Sequence, residues 1–272
     1  MKSHPLIVLF ALAAAVAAFA GDAVVISSFA VPGLSVNGPR GLGFDGVSTF
    51  AVADDRNLNQ VRVLKFTYNG TAASVVSSFN CPTNIRWALD LAWAPGYVYV
   101  ADDLANATSR GRIFKLDAGT GSCLASFVGP YGSGVHVNGL AWFDGALFTS
   151  SYESAWVYRL NAAGVPLASF AAPHASNTGL AAAGGWLWAV STRPEYEFLQ
   201  YSGGGVLAGR LNFNVNNNYV GGACAGRPAL GTVFVSTYTG SQLIYEYAAS
   251  GQGGEGIGIA PSSFGRIKTL FR

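Results

Sequence analysis

The sequence predicts an all-β fold, a β-propeller of five four-stranded blades, and two observations support this prediction. A Gly-Leu site and a Ser-Phe pair each recur along the chain at intervals of 40 to 50 residues. Between these markers, short apolar stretches alternate with turns rich in Gly, Asp and Asn, a pattern typical of strands and not of helices. Four strands in a repeat of this length indicate a propeller blade.

The two markers divide the chain into five units. The first marker has steps of 49, 49, 40 and 43 residues, and the second has steps of 50, 48 and 43. Because two independent markers share one period, we predict five blades. The first marker comprises Leu42 in RGLGF, Leu91 in LDLAW, Leu140 in NGLAW, Leu180 in TGLAA and Ala223 in GGACA, and the second comprises Phe29, Phe79, Phe127 and Phe170.

The second unit shows the order of its strands most plainly. LDLAW at 89–93 predicts a first strand, and YVYVAD at 97–102 predicts a second strand after the turn at 94–96. RIFKLD at 112–117 and CLASF at 123–127 predict the third and fourth. The third unit repeats this order as GLAW, ALFTS, WVYRL and PLASF. One such sheet cannot cover its own two faces, whereas a ring of sheets covers all of them.

The two ends of the repeat region complement each other. The fifth unit has GGACAG, TVFVST and LIYEY but no fourth strand, while AVVISSF at 23–29 is a fourth strand without the first three. We therefore predict that the N-terminal strand closes the ring beside LIYEY, which removes an exposed sheet edge. The count becomes six blades if the Gly-rich tail contributes strands.

The chain outside the repeats divides into a leader and a tail. Residues 1–20 have a Lys near the start, an apolar run and an Ala-Phe-Ala ending, as a secretory signal peptide does. The apolar run is too short for a transmembrane anchor. We therefore expect a propeller over 21–250, a Gly-rich linker and tail over 251–272, and a secreted, periplasmic or cell-surface location without a membrane anchor.

Composition excludes one class of partner. The formal net charge is +2 and the 16 Lys and Arg residues are scattered along the chain. A nucleic-acid-binding protein would carry a clustered basic footprint, so we expect no nucleic acid. The three cysteines, Cys81, Cys123 and Cys224, are too few and too widely spaced for a disulfide framework or a CxxC metal site.

The recurring phrases GLAW, YVYVAD, RIFKLD and LASF resemble those of short secreted bacterial β-propellers, broadly the NHL-like and glutaminyl-cyclase-like kinds, over about residues 23–250. The cyclase-like resemblance implies an enzyme alternative, a glutaminyl-peptide cyclotransferase with Asp90 as the channel acid and Trp87 in an aromatic cage. The chain departs from that family in lacking an FTQGL-like opening phrase and an ESTG-like stretch. A propeller fold by itself does not specify a function.

Candidate site residues gather at one end of the predicted propeller. The loops between second and third strands and the crossovers between blades share this end, whereas the opposite end receives small turns such as DAGTG and NAAG. Asp90 stands where the other units have Gly41, Gly139, Gly179 and Gly222, so its carboxylate should reach the central channel and need a cation, water or donor there. The predicted binding residues are Arg40, Arg86, Trp87, Asp90, His136, Asn138, His174, Asn177, Tyr219 and Tyr238.

These residues favour a monomeric binding module whose ligand lies at the channel mouth near Asp90, with a glycan, a peptide or a surface protein as partner. The alternatives are the cyclotransferase and a metal-dependent lyase or lactonase using Asp90, Asn138 and the two histidines. No cofactor is expected, although calcium or another divalent cation could bind the paired acids of the two VADD phrases, with Asp54 and Asp102 as candidate ligands.

Overall fold

The computed structural model describes residues 19–35, 38–55, 60–102, 110–192, 196–213, 220–226, 231–237 and 243–248, and these contain strands and turns but no helix. Four sheets have four strands and one has five. Blade 1 comprises β3 (Leu42–Phe44), β4 (Thr49–Asp55), β5 (Val61–Tyr68) and β6 (Ala73–Asn80); blade 2, β7 (Ala88–Ala94), β8 (Tyr97–Asp102), β9 (Arg112–Asp117) and β10 (Cys123–Val128); blade 3, β11 (Gly139–Phe143), β12 (Ala146–Ser150), β13 (Trp156–Leu160) and β14 (Pro166–Ala171); blade 4, β15 (Asn177–Ala183), β16 (Trp186–Ser191), β17 (Glu197–Tyr201) and β18 (Leu207–Asn212); blade 5, β19 (Val220–Ala225), β20 (Thr232–Thr237), β21 (Ile244–Ala248) and β2 (Val25–Phe29).

The five-bladed propeller prediction is confirmed, including closure by the N-terminal strand. β2 pairs antiparallel with β21, with Ser28 opposite Tyr245 and Phe29 opposite Ile244. The ring of Phe29 stacks on Tyr68 of blade 1 at a centroid distance of 4.0 Å and meets Phe234 of blade 5 at 5.2 Å. One strand thus completes the fifth blade and packs against the first. The tail at 251–272 lies outside the described residues.

A further strand, β1 (Phe19–Asp22), was not expected. It pairs parallel with β18 at the outer edge of blade 4, from Phe19 opposite Gly209 to Asp22 opposite Asn212. The strand spans the expected cleavage point after Ala20, so a chain that starts at Gly21 keeps two of these four pairs. Residues 1–18 of the expected leader lie outside the described part, in which no helix is long and apolar enough to cross a membrane.

The hydrophobic core lies between the blades. Each of the five gaps between neighbouring blades holds one cluster of buried side chains; the gap between blades 1 and 2 holds Val63, Leu91 and Phe114. The fourth strands β10 and β14 are mostly exposed, whereas β12 is buried throughout. Burial therefore increases toward the axis, as expected when sheets pack face to face around a ring.

The second sequence marker forms a contact between neighbouring blades from blade 1 to blade 4. Phe79 of blade 1 lies against Gly121 in the turn between β9 and β10, where an added Cβ would come within 2.2 Å of the ring. Phe127 meets Gly164, and Phe170 meets Gly205, in the same way. All three glycines have positive φ, of 76°, 83° and 83°. Glycine is required here both for the backbone conformation and for the space that the phenylalanine ring fills.

The propeller has two ends, which we name by their connections. The loop face carries the loops between second and third strands and the crossovers between blades. The turn face carries the turns between first and second and between third and fourth strands. The first strand of every blade starts at the loop face and ends at the turn face, so five parallel inner strands surround the axis.

Candidate functional site

In blades 2, 4 and 5 the inner strand has a β-bulge at Asp90 or at the glycine that takes its place. The pairing register shifts between Ala88 and Asp90 in β7, between Asn177 and Gly179 in β15, and between Val220 and Gly222 in β19. In blades 1 and 3 the corresponding amides, of Arg40 and Asn138, donate to Ala53 O at 2.9 Å and Ser150 O at 3.0 Å. After each bulge, the next residue turns its N–H toward the axis, because successive residues of a strand alternate their hydrogen-bonding direction.

The carboxylate of Asp90 collects these inward-facing amides. Its Oδ2 accepts from Leu140 N at 2.7 Å, and its Oδ1 accepts from Leu91 N at 2.8 Å and Leu42 N at 3.3 Å. The amide of Leu180 in blade 4 also hydrogen-bonds to it. Four donors match the four acceptor positions of a carboxylate. Asp90 therefore ties the inner strands of blades 1 to 4 together at the centre of the ring.

The surroundings of Asp90 exclude solvent. The residue is 0 % exposed, and an added Cβ at Gly222 would come within 2.4 Å of its Oδ1. Burial raises the pKa of the Asp90 carboxyl well above its usual value, and the four amide hydrogen bonds oppose this without cancelling it. The sequence predicted that Asp90 needs a cation, water or donor in the channel, and the backbone amides of the inner strands are that donor. The buried carboxylate closes the central channel at this level.

Arg40, Arg86 and Trp87 lie on the loop face beside the axis. The guanidinium of Arg40 lies over the Trp87 ring at 5.2 Å from its centroid, and Trp87 is 38 % exposed. The fully buried Asp102 accepts hydrogen bonds through Oδ1 from Trp87 N at 2.8 Å and Arg86 N at 3.0 Å. Asp102, one of the candidate cation ligands, therefore holds the loop that carries Arg86 and Trp87.

His136 and Asn138 lie in the crossover between blades 2 and 3. Asn138 Oδ1 accepts from Tyr152 N at 2.8 Å, and the backbone N–H of His136 donates to Glu153 Oε2 at 3.3 Å. Ser151 Oγ donates to the same oxygen of Glu153 at 2.8 Å. Asn138 thus fixes the neighbouring loop of blade 3, and Glu153 is a site residue that the sequence analysis left out of its candidates.

His174 lies in the crossover between blades 3 and 4, and Asn177 is the first residue of β15. His174 Nε2 is 3.4 Å from Glu197 Oε2, and Arg210 Nη1 is 3.8 Å from Glu197 Oε1. Asn177 is fully buried and donates through Nδ2 to His174 O at 3.3 Å. His174 is therefore directed to a carboxylate of its own blade, and Asn177 supports the crossover from within.

Asp90, His136 and His174 do not form a metal-binding group with one another. Among the described residues, which include Asp90, His136 and His174, no group of three or more His, Cys, Asp or Glu side chains is placed to hold a metal ion. Asp54 lies in β4 opposite Arg62. Tyr219 and Tyr238 lie outside the described residues, as do most of the loops between second and third strands.

A cavity that the sequence analysis did not predict opens on the axis at the turn face. It has a volume of about 210 Å³, and its walls are the turn-face ends of all five inner strands. Phe44, Trp93 and Trp142 line it from blades 1 to 3, while Ala182 and Cys224 line it from blades 4 and 5. The inner-strand phrases contain all of these residues, but only the three-dimensional structure shows that the axis is closed at Asp90 and open below it.

Comparison with known proteins identifies the fold. No protein-family model and no curated protein matches the chain. Among solved structures, the glutaminyl cyclase of Myxococcus xanthus has a TM-score of 0.63 at 14 % identity, over 85 % of this chain and 97 % of that one. A PQQ-bound aldose sugar dehydrogenase of Streptomyces coelicolor has a TM-score of 0.47 at 16 % identity, over 84 % and 98 %. The likeness to the cyclase shows a shared propeller fold.

Proposed function

We propose that this protein is an exported, monomeric binding module that holds a glycan on its loop face, beside the closed axis. The observation that carries the proposal is the pair formed by Trp87, a residue that is 38 % exposed, and the Arg40 guanidinium over its ring. An exposed indole offers a flat apolar surface on which a sugar ring stacks. A guanidinium beside it donates hydrogen bonds to hydroxyl or carboxylate oxygens of the same ligand.

The loop that presents Trp87 is held in place before any ligand arrives. Asp102 accepts two backbone hydrogen bonds from this loop, and Asp102 is itself buried in the blade. Asn138 holds the next loop around the ring in a similar way. Preorganised loops lose less conformational entropy on binding, which favours affinity. Asp90 supports this surface from below and is too buried to touch the ligand.

A glycan-array screen followed by titration of the strongest glycan tests the proposal. Trp87→Ala should weaken binding by about tenfold or more, since removing a central aromatic contact typically costs more than 1 kcal/mol. Tyr97→Ala is the matched control, because Tyr97 is 36 % exposed and lies under Lys115 at 3.7 Å, but on the turn face. Equal losses in both variants, or selection of peptides and no glycan, would overturn the glycan assignment.

The cyclotransferase is the competing proposal, and it depends on Asp90 acting as an acid. Its support is the shared propeller fold together with a carboxyl whose pKa is raised by burial. Against it, Asp90 is 0 % exposed and four backbone amides occupy its oxygens. Turnover of peptides with N-terminal glutamine by the wild type, lost in Asp90→Asn while the fold persists, would place this proposal above the binding module.

A further inference from the structure

We infer that the axial cavity on the turn face is a second binding site, for a small uncharged aromatic molecule. Nothing in the proposed function uses this cavity, since it lies below Asp90 at the end of the propeller opposite Trp87. The two sites are therefore independent, and either can fail without the other.

The size of the cavity limits the ligand. Its volume is about 210 Å³, and an apolar protein cavity of about 150 Å³ is large enough to take up benzene. The additional space corresponds to a few more heavy atoms, which is the difference between benzene and a bicyclic compound such as indole. Ligands much larger than this would have to extend into solvent beyond the turn face.

The wall of the cavity is aromatic on one side and small on the other. Equivalent positions of the inner strands hold Phe44 in blade 1, Trp93 in blade 2 and Trp142 in blade 3, all half-buried, but Ala182 in blade 4 and Ala225 in blade 5. The bulky side chains of blades 1 to 3 are therefore not continued in blades 4 and 5. The missing side chains leave room for an aromatic ligand beside the aromatic side of the wall.

The polarity of the cavity favours a neutral ligand. Of its lining residues only Asp45 carries a charge, and its Oδ1 accepts from the amides of Val47 at 2.8 Å and Ser48 at 2.9 Å in its own turn. Because inner-strand residues alternate in direction, the amides of Trp93 and Trp142 face the axis two residues beyond those that bind Asp90. An aromatic ring with one hydrogen-bonding group satisfies both features, whereas an anionic ligand would be desolvated beside Asp45 with no basic side chain among the lining residues.

Two independent readouts are available at the cavity wall. Ala182→Trp would place in blade 4 the residue that blades 2 and 3 carry at this position, and so fill the opening. Cys224, a buried cysteine, lines the cavity, whereas Cys123 is exposed and Cys81 lies in the core between blades 1 and 2. A ligand in the cavity should therefore shield Cys224 and leave Cys123 accessible.

The test is calorimetric titration with indole of the wild type, Ala182→Trp and a control, Ala168→Trp, which adds the same side chain on the exposed strand β14. We expect equal affinity for wild type and control, and affinity about tenfold or more lower for Ala182→Trp. Indole should also slow the reaction of Cys224 with methylmercury, read by peptide mass spectrometry, and leave Cys123 unchanged. If Ala182→Trp fails to fold, the cysteine readout on the wild type decides.

The proposal is overturned if indole gives no binding heat up to its solubility limit, if Ala182→Trp binds it as well as the wild type, or if Cys224 reacts equally fast with and without indole. None of these results bears on the glycan screen, which reports on Trp87 at the other end of the molecule. Failure of this site and failure of the proposed function are thus separately visible.

Discussion

Asp90 shows how one residue that departs from a repeat can determine the centre of a propeller. Blades 1, 3, 4 and 5 have glycine at this position, whereas blade 2 has Asp90. Its carboxylate accepts hydrogen bonds from backbone amides of blades 1 to 4. The inner edge of a propeller blade presents N–H groups that have no neighbouring strand, and a carboxylate on the axis satisfies several of them at once. Burial of the charge raises the pKa of the carboxyl, so the same residue makes stability depend on pH.

The first prediction concerns that pH dependence. Because the folded-state pKa of Asp90 lies above the unfolded value of 3.8, its stabilising contribution is complete below the unfolded pKa and is lost as the pH rises through the folded pKa. Asp90→Asn cannot titrate, and its NH₂ group faces an amide donor, so it should be less stable by about 1–3 kcal/mol near pH 4.

Urea unfolding of both proteins between about pH 4 and pH 8 checks this prediction. The advantage of the wild type over Asp90→Asn should shrink as the pH rises. A free-energy difference that stays constant across the range, or one that grows with pH, would show that the carboxyl pKa is not raised in the folded protein.

A phenylalanine in the fourth strand of one blade contacts a turn glycine of the next blade, and this contact recurs from blade 1 to blade 4. Phe127 and Gly164 are 37 residues apart in the chain and meet in space; Phe79 meets Gly121 and Phe170 meets Gly205 in the same way. Each pair joins the fourth strand of one blade to the last turn of its neighbour. The Ser-Phe marker of the sequence therefore recurs because the contact between blades recurs.

Alanine substitutions at three glycines in or between blades 2 and 3 distinguish the cost of a positive φ from the cost of a collision with Phe127. Gly164→Ala introduces both a positive-φ penalty at 83° and a collision with Phe127, whereas Gly145→Ala introduces only the penalty, at φ 70° with nothing within 4 Å of the added Cβ. Gly132→Ala meets nothing within 4 Å. We expect Gly164→Ala to cost about 2–4 kcal/mol, Gly145→Ala about 1 kcal/mol and Gly132→Ala close to zero.

Thermal or chemical unfolding of the three variants measures these differences. Equal losses for Gly164→Ala and Gly145→Ala would mean that the ring of Phe127 moves aside freely, and that the repeated contact does not lock the blades.

The fold could be predicted from the repeat. Residues that depart from the repeat could also be found in the sequence, but the groups that they contact could not. The strand phrases and their spacing were sufficient for the blade count and for ring closure, because each blade repeats one binary pattern. Asp90 could be recognised as a departure, but its donors outside blade 2 come from residues 42, 140 and 180, and no local pattern indicates where backbone amides converge. Likewise, the parallel strand Phe19–Asp22 depends on a free edge of blade 4 that only the assembled sheet shows.

Closure of the propeller ring depends on one short strand, β2. β2 supplies the outer strand of blade 5 and inserts Phe29, 5 % exposed, between blades 5 and 1. A chain starting at Ala30 leaves the edge of β21 unpaired and removes Phe29 from the core, so its melting temperature should fall by at least about 10 °C. It should also aggregate through the open edge.

A chain starting at Ala23, which lacks only β1, is the control for that truncation. Circular dichroism melts and size-exclusion chromatography of the two chains make the comparison. If the chain starting at Ala30 melts with the control and stays monomeric, β2 is dispensable and the ring closes by other contacts.

We place ligand binding on the loop face, and hydrogen–deuterium exchange of the complex with the strongest glycan of the array is the decisive measurement. We expect slower exchange at 84–90, where Asp102 holds the Trp87 loop, and at 134–140, the neighbouring crossover. Trp87→Ala, titrated with the same glycan, should lose that protection. Protection confined to the outer strands β10 and β14, or to the turns at 118–122 and 161–165, would show that the glycan binds away from the loop face.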